Sequence, residues 1–159
     1  MANTQFKTKQ VGFTLIELMI TITLLGVILM MGTSLTRAWI HQSQVNSALK
    51  TVQEATTQTK AFALRNTHNT GINEPSASLC VYNSTIKIIY GICPTIEPSD
   101  AIQTFELSKG ISIKEGTDTF ICMEYNYVGV VLPSSTCTNS TNPTLTIGKN
   151  NENAEIVIR

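Results

Sequence analysis

Charged residues are scarce in this sequence, at 14% of 159 residues against about 25% in an average soluble domain. The formal net charge is zero, so the chain has no strong field of one sign to attract nucleic acid. Beyond residue 40, eight Lys and Arg face ten Asp and Glu, which leaves this region at a net charge of −2. These counts argue against a general electrostatic affinity for DNA or RNA.

Several common catalytic and cofactor motifs are also missing. The sequence has no Gly-rich phosphate loop, no G-x-S-x-G frame around a serine and no C-x-x-C pair. The two histidines, His41 and His68, stand apart in sequence and are interpreted as solvated polar residues. We therefore expect no enzymatic activity, no cofactor and no metal site.

One long apolar run lies near the N-terminus. It extends from Phe13 to Met31 and carries a single charge, Glu17. Nineteen helical residues span roughly 28 Å at ~1.5 Å each, close to the hydrocarbon thickness of a bilayer. Two lysines precede the run, so the positive-inside rule places the first dozen residues in the cytoplasm and the region after Arg37 outside.

Three interpretations of this run compete. A secretory signal peptide is disfavoured, because its apolar core usually has ~7–15 residues and is followed by an A-x-A cleavage site. A plain signal anchor fits the length but leaves Glu17 unexplained, since an ionisable group at the centre of a spanning helix costs roughly 2.5–3.5 kcal/mol on insertion scales. We favour an anchor in which Glu17 has a cationic partner.

The segment around this charge carries a specific motif, G-F-T-L-I-E at residues 12–17, after a short basic leader. It resembles the signature of type IV prepilins. The resemblance implies a leader over residues 1–12, which a prepilin peptidase cuts between Gly12 and Phe13, and methylation of the new amine of Phe13. It also implies retention of a transmembrane helix over residues 13–33. The expected partners are membrane lipid before assembly, an inner-membrane assembly platform, and other major and minor pilins.

Glu17 lies one helical turn beyond Phe13 on the same helix face. Cleavage after Gly12 creates a cationic amine on Phe13, and methylation keeps its charge. In an apolar filament core an unpaired carboxylate is penalised and a paired one is tolerated. We therefore expect Glu17 to be a subunit-assembly residue that selects the axial step at which both charges are neutralised. The alternative is that Glu17 extends to the membrane interface without a partner.

The rest of the chain predicts an α+β fold. Apolar residues recur at helical spacing from Val45 to Phe62, which predicts an amphipathic continuation of the helix over residues 34–67. Residues 68–159 read as a globular head of short strands separated by turns. The resemblance implies the type IV pilin fold, with a long N-terminal helix packed on a twisted antiparallel sheet. The predicted strands are Ser78–Tyr82, Ile86–Tyr90, Gln103–Leu107, Ile111–Lys114, Phe120–Tyr125, Val128–Leu132, Thr144–Ile147 and Glu155–Ile158.

All four cysteines, Cys80, Cys93, Cys122 and Cys137, lie in this head. An even number in a small exported domain predicts two disulfides, for which three pairings are possible. We favour Cys80–Cys93 and Cys122–Cys137, because each closes a short local loop. A disulfide that closes a loop of ~15 residues stabilises the fold by about 3 kcal/mol in the chain-entropy description. A metal site is disfavoured, because no His pair lies near the cysteines.

Within the pilin family, three segments resemble minor pilins and pseudopilins of the FimT/FimU/GspH type, namely Ala61–Arg65, Phe120–Gly129 and Thr144–Ile158. The resemblance implies a minor pilin that helps to prime pilus assembly near the filament tip. It would be a single-pass inner-membrane protein with a periplasmic C-terminal domain, and later a component of the pilus at the cell surface. Two alternatives stay open, a tip subunit that binds DNA or another ligand, and a minor pseudopilin of a type II secretion system. DNA is not favoured, because no basic cluster lies near the C-terminus.

The first prediction concerns processing. The mature protein isolated from membranes should begin at a methylated Phe13, because cleavage precedes the apolar run and so leaves it in the chain. Intact-mass and N-terminal peptide analysis measures this directly. A chain that still begins at Met1 would refute it.

Overall fold

The computed structural model of the protein describes residues 12–134, 136–138 and 140–159, and within the helix the side chains of residues 31–35 are outside the description. Most of the predicted leader therefore lies outside the described residues. Tertiary contacts divide the chain into two compact units, with the boundary between Arg37 and Ala38. The amphipathic half of the helix belongs to the same unit as the strands.

The helix found among the described residues, α1, extends over Leu15–Arg65. The sequence permits this length because the first proline is Pro75. The helix ends where Asn66 adopts a left-handed backbone with φ of 40°. The side-chain oxygen of Asn66 accepts hydrogen bonds from the Thr70 backbone N–H at 2.8 Å and from its hydroxyl at 2.9 Å. Asparagine thus stops the helix and orders the turn that follows.

The second half of α1 buries one stripe of small and β-branched side chains. The apolar members predicted from the spacing lie in this stripe, with Leu49 and Phe62 only partly buried. Thr56 and Thr59 are also buried, although the apolar pattern did not include them. The Thr59 hydroxyl donates to the Ala55 carbonyl at 2.7 Å, so its burial leaves no unmade hydrogen bond. The buried stripe comprises Val45, Ala48, Val52, Ala55, Thr56, Thr59 and Ala63.

In the part of the chain that the structure describes, nine strands follow the helix and form two antiparallel sheets. The five-stranded sheet has the order β3-β2-β1-β6-β7, and the four-stranded sheet has the order β5-β4-β8-β9. The chain passes from the second sheet to the first between β5 and β6. The strands are β1 (Ala77–Tyr82), β2 (Thr85–Tyr90), β3 (Gln103–Glu106), β4 (Ser112–Glu115), β5 (Asp118–Thr119), β6 (Cys122–Tyr125), β7 (Val131–Leu132), β8 (Thr144–Lys149) and β9 (Glu152–Val157).

The α+β class with a helix packed on antiparallel strands is confirmed. Several details of the strand prediction were wrong, since β5 was not predicted and β9 extends over Glu152–Val157 instead of Glu155–Ile158. The region predicted as one strand, Phe120–Tyr125, contributes only Cys122–Tyr125 to β6, and Val128–Leu132 shortens to Val131–Leu132. The shortening of the predicted strand Val128–Leu132 has a local cause. The Asn126 side-chain oxygen accepts the backbone N–H groups of Val128 and Val130, so this stretch forms a turn.

One core joins the helix stripe to both sheets. Its largest fully buried members come from the inward faces of the strands, where alternate side chains point to the helix. Tyr125 is fully buried, and its hydroxyl contacts the Met123 sulfur at 3.5 Å. The strand residues of this core include Leu79, Ile86, Ile113, Met123, Tyr125, Leu145 and Ile147.

The opposite face of the five-stranded sheet is covered by the loop over residues 91–102. Disulfides join Cys80 to Cys93 and Cys122 to Cys137, the same pairing as that favoured from loop length. Lys87 forms an ion pair with Glu97 at 3.1 Å and donates to the Pro98 carbonyl at 2.6 Å. These contacts and the disulfide fix the loop to β1 and β2.

Glu124 lies beneath this loop on β6. Its side chain is buried, and Oε1 has no hydrogen-bond partner among the described residues. Burial raises the pKa of Glu124 above its ordinary value of 4.5. The folded state therefore binds the Glu124 proton more tightly than the unfolded state does. Stability is greater while this carboxyl is protonated and falls as the pH rises through the raised pKa.

Replacement of Glu124 by Gln should therefore stabilise the protein at neutral pH, by roughly 1 kcal/mol, and the gain should vanish at a pH below the ordinary carboxyl range. Denaturant unfolding of the full chain in detergent at several pH values measures this. Glu106→Gln, at an exposed position on β3, is the matched control and should change stability by less than about 0.5 kcal/mol. A Glu124→Gln variant that is less stable at every pH would contradict the account.

Candidate assembly site

The residues that carry the processing motif lie just before α1. Gly12, Phe13 and Thr14 are exposed and precede the first helical residue, Leu15. A methyl group placed on Gly12 would meet no atom within 4 Å. Packing within the described structure therefore does not require glycine at this position.

Glu17 and Thr14 form a capping box at the start of α1. The Glu17 carboxylate oxygen Oε2 accepts the backbone N–H of Thr14 at 2.9 Å and its hydroxyl at 2.8 Å. In return, the Glu17 backbone N–H donates to the Thr14 hydroxyl oxygen at 3.3 Å. The first N–H groups of a helix have no partner within it, so this reciprocal arrangement satisfies donors that would otherwise be open.

The capping box also fixes where the Glu17 charge lies. A helical side chain points back toward the helix N-terminus, and the bonds to Thr14 hold the carboxylate there. Both bonds from Thr14 end on Oε2, and Oε1 accepts no hydrogen bond from any residue that the structure describes. The carboxylate thus retains acceptor capacity at the helix start.

The apolar run that follows has no cover within the described chain. From Phe13 to Met30, every large apolar side chain is between 52% and 84% exposed. Monomeric soluble proteins rarely expose contiguous apolar surface on this scale, and such surface marks contact with protein or membrane. Among the described residues, no helix combines the length and the hydropathy expected of a membrane-crossing segment. The transmembrane assignment of residues 13–33 stays a prediction.

The cysteines of the head offer the one metal-like cluster found among the described residues. The sulfur atoms of Cys93, Cys122 and Cys137 lie within 4.8 Å of one another. Each of them belongs to a disulfide, whereas zinc and similar metals bind the thiolate. In this oxidised state the cluster does not provide thiolate ligands.

Comparison with known families bears on the N-terminal segment. Residues 7–33 match the family model described as the prokaryotic N-terminal methylation motif. The match supports a type IV pilin-like protein. The matched residues include the predicted cleavage position after Gly12, the predicted methylation position Phe13, and Glu17. No curated protein and no solved structure gives a significant match to the chain.

The capping box is a site feature that the sequence analysis missed. Its signal was present, because T-L-I-E at residues 14–17 is a T-x-x-E sequence directly before an apolar run. Glu17 was interpreted only as the partner of the Phe13 amine, and its bonds to Thr14 were not predicted. The structure adds a local role, in which Thr14 orders the Glu17 carboxylate.

Thr14→Val should therefore open the first turn of α1, because the side chain keeps its shape and loses its hydroxyl. Loss of an N-cap group costs about 1 kcal/mol, so amide hydrogen exchange near Glu17 should become roughly fivefold faster. Exchange measured by mass spectrometry on the full chain tests this. Thr14→Ser keeps the hydroxyl, so its amides near Glu17 should exchange at the rate of the unmodified protein. If Thr14→Val also exchanges at that rate, Thr14 does not stabilise the first turn of the helix.

Proposed function

We propose that this chain is a prepilin that is cut between Gly12 and Phe13, methylated on Phe13 and assembled as a minor pilin of a type IV pilus. Its role in this proposal is to prime assembly near the filament tip together with other pilins. The observation that carries the proposal is an uncovered apolar segment, Phe13–Met30, whose one acid, Glu17, is held at the N-terminal end of the helix by Thr14.

The apolar surface and the charge make different contributions to assembly. Burial of a large aliphatic or aromatic side chain stabilises by about 1.5–3 kcal/mol, so full cover of this segment is worth on the order of 20 kcal/mol or more. An unpaired carboxylate costs only a few kcal/mol on the same scale. Apolar burial thus decides that the segment enters membrane or filament core. Glu17 decides which register of the subunits is the most stable.

The cationic partner in this proposal is the amine of Phe13, from the same or a neighbouring subunit. Cleavage creates that charge at the end of the chain where Thr14 holds the carboxylate. The unused acceptor capacity of Oε1 suits an incoming ammonium group, which has N–H donors and no acceptor. Because packing does not require glycine at residue 12, a requirement of the peptidase for a small residue accounts better for Gly12.

The proposed location follows from the same segment. Before assembly, residues 13–33 would anchor the chain in the inner membrane, with the head in the periplasm, where two disulfides are stable. After assembly, the chain would belong to a pilus at the cell surface. The partners are then the prepilin peptidase, the inner-membrane assembly platform, and major and minor pilins.

A minor pseudopilin of a type II secretion system is the second candidate, because the same N-terminal motif would serve it. Deletion that abolishes surface pili supports the pilus function, whereas deletion that abolishes secretion of exoproteins supports the other. DNA binding is not favoured, since residues 41–159 carry more acids than bases. If residues 41–159 do not retain DNA at low salt, DNA binding is further disfavoured.

Glu17→Gln should leave membrane insertion intact and impair incorporation into filaments. The amine of Phe13 would lose its partner, and loss of one member of a buried pair costs about 3–5 kcal/mol. Immunoblots of membrane and sheared-filament fractions measure both steps. Normal assembly of Glu17→Gln would remove the charge-pairing mechanism.

Glu54→Gln is the matched control. Glu54 lies on the same helix, is exposed, and accepts only the Gln58 side-chain amide, at 3.1 Å, among the residues described by the structure. An amide can accept the same bond, so we expect this variant to assemble normally. An equal loss in both variants would assign the effect to helix charge in general and would contradict a specific role for Glu17.

A further inference from the structure

The two disulfides of the head lie side by side. Cys80 on β1 and Cys122 on β6 are direct cross-strand partners in the antiparallel register. Each is bonded to a residue outside the strands, Cys93 in the first case and Cys137 in the second. The sequence separations of 13 and 15 residues give no hint of this proximity, because it arises from the pairing of β1 with β6.

The four sulfurs fall into a buried pair and a more accessible pair. Cys80 and Cys122 are 1% and 3% exposed, whereas Cys93 and Cys137 are partly exposed. The sulfurs of Cys93 and Cys137 lie within 4.8 Å of each other and of the Cys122 sulfur. A thiolate formed on either loop cysteine therefore has a disulfide of the other loop within short reach.

We propose that these cysteines form a single thiol–disulfide exchange site with two connectivities. One is the local pairing present in the structure. The other is a crossed pairing, in which Cys80 bonds to Cys122 and Cys93 bonds to Cys137. This proposal is independent of the assembly function, because it rests on the head alone.

The exchange conserves the number of disulfide bonds. It needs only a catalytic external thiol, either a small thiol or a protein dithiol. Its thiolate attacks Cys93, breaks the bond to Cys80 and leaves the electron pair on the Cys80 sulfur. The Cys80 thiolate attacks Cys122, which releases Cys137 as a thiolate. Cys137 then attacks Cys93 and expels the external thiolate. Three S–S bonds form and three break, with no net oxidation.

The crossed pairing would change the surface between the loops. A groove of about 750 Å³ lies there, lined by Cys80, Cys93 and Cys122 together with Pro94, Thr95 and Thr136. In the local state each disulfide fixes its own loop to a strand. In the crossed state a Cys93–Cys137 bond would join the two loops directly across the site, and the exchange would reshape this groove.

The test uses two variants of the full chain in detergent, each of which removes a buried strand cysteine. Cys80→Ser leaves a free thiol on Cys93, and Cys122→Ser leaves one on Cys137. Each is incubated under native conditions at mildly alkaline pH, then alkylated and mapped by peptide mass spectrometry. We expect a Cys93–Cys137 bond in both, with the alkyl label moved to Cys122 in the first variant and to Cys80 in the second.

The same variants alkylated before incubation are the controls, and they should carry the label only on Cys93 and Cys137 respectively. The rate of label movement should not depend on protein concentration, because the reaction is intramolecular. It should change little between zero and low urea concentrations, because the reaction occurs in the folded chain. Label that stays at its starting cysteine in both variants would overturn the proposal. A rate that rises steeply with urea would assign the exchange to unfolded chains and would also overturn it. If Cys80→Ser does not fold, Cys122→Ser gives the same readout.

Discussion

A single carboxylate at the start of an uncovered apolar segment is the main constraint on how the N-terminal part of α1 can be covered. Thirteen large apolar side chains from Phe13 to Met30 face outward, and the acid among them, Glu17, is held by Thr14. Such a surface is unfavourable in water and must be covered. In the proposed function, lipid covers this segment before assembly and other helices cover it afterwards, and only the second environment requires a cation at a defined position beside Glu17.

The head is stabilised in a different way, by packing between α1 and the two sheets. There the same helix contributes small side chains, such as Ala48 and Ala55, that let two sheets approach it closely. The outer face of the five-stranded sheet is covered by a loop that a disulfide and the Lys87–Glu97 ion pair fix in place. The head therefore has a core of its own, whereas the apolar segment has none within the described chain.

Much of this architecture could be predicted from local patterns. Helical spacing from Val45 to Phe62 identified the buried stripe, and the short cysteine spacing favoured the pairing that the structure contains. The division into two sheets could not be predicted, because it depends on non-local pairing such as Ser112 with Gly148. The proximity of the two disulfides could not be predicted either, because it follows from the register of β1 against β6, which is also a non-local pairing.

At the candidate site, the sequence indicated Glu17 through its chemistry but not the geometry of its side chain. A T-x-x-E pattern has a local explanation as a capping box, and the structure contains that box. The local and intermolecular roles are compatible, because a pre-ordered carboxylate loses less conformational entropy when a partner binds. The acid and its cap therefore form one unit.

The most direct test is a zero-length carbodiimide cross-link on isolated filaments or assembly complexes, with peptides identified by mass spectrometry. If the two charges pair, a covalent bond should form between the Glu17 carboxyl and the Phe13 amine of the same or a neighbouring subunit. Its yield should fall when Thr14 is replaced by Val. A Glu17 that couples only to an added small amine, with no bond to any N-terminus, would contradict the account.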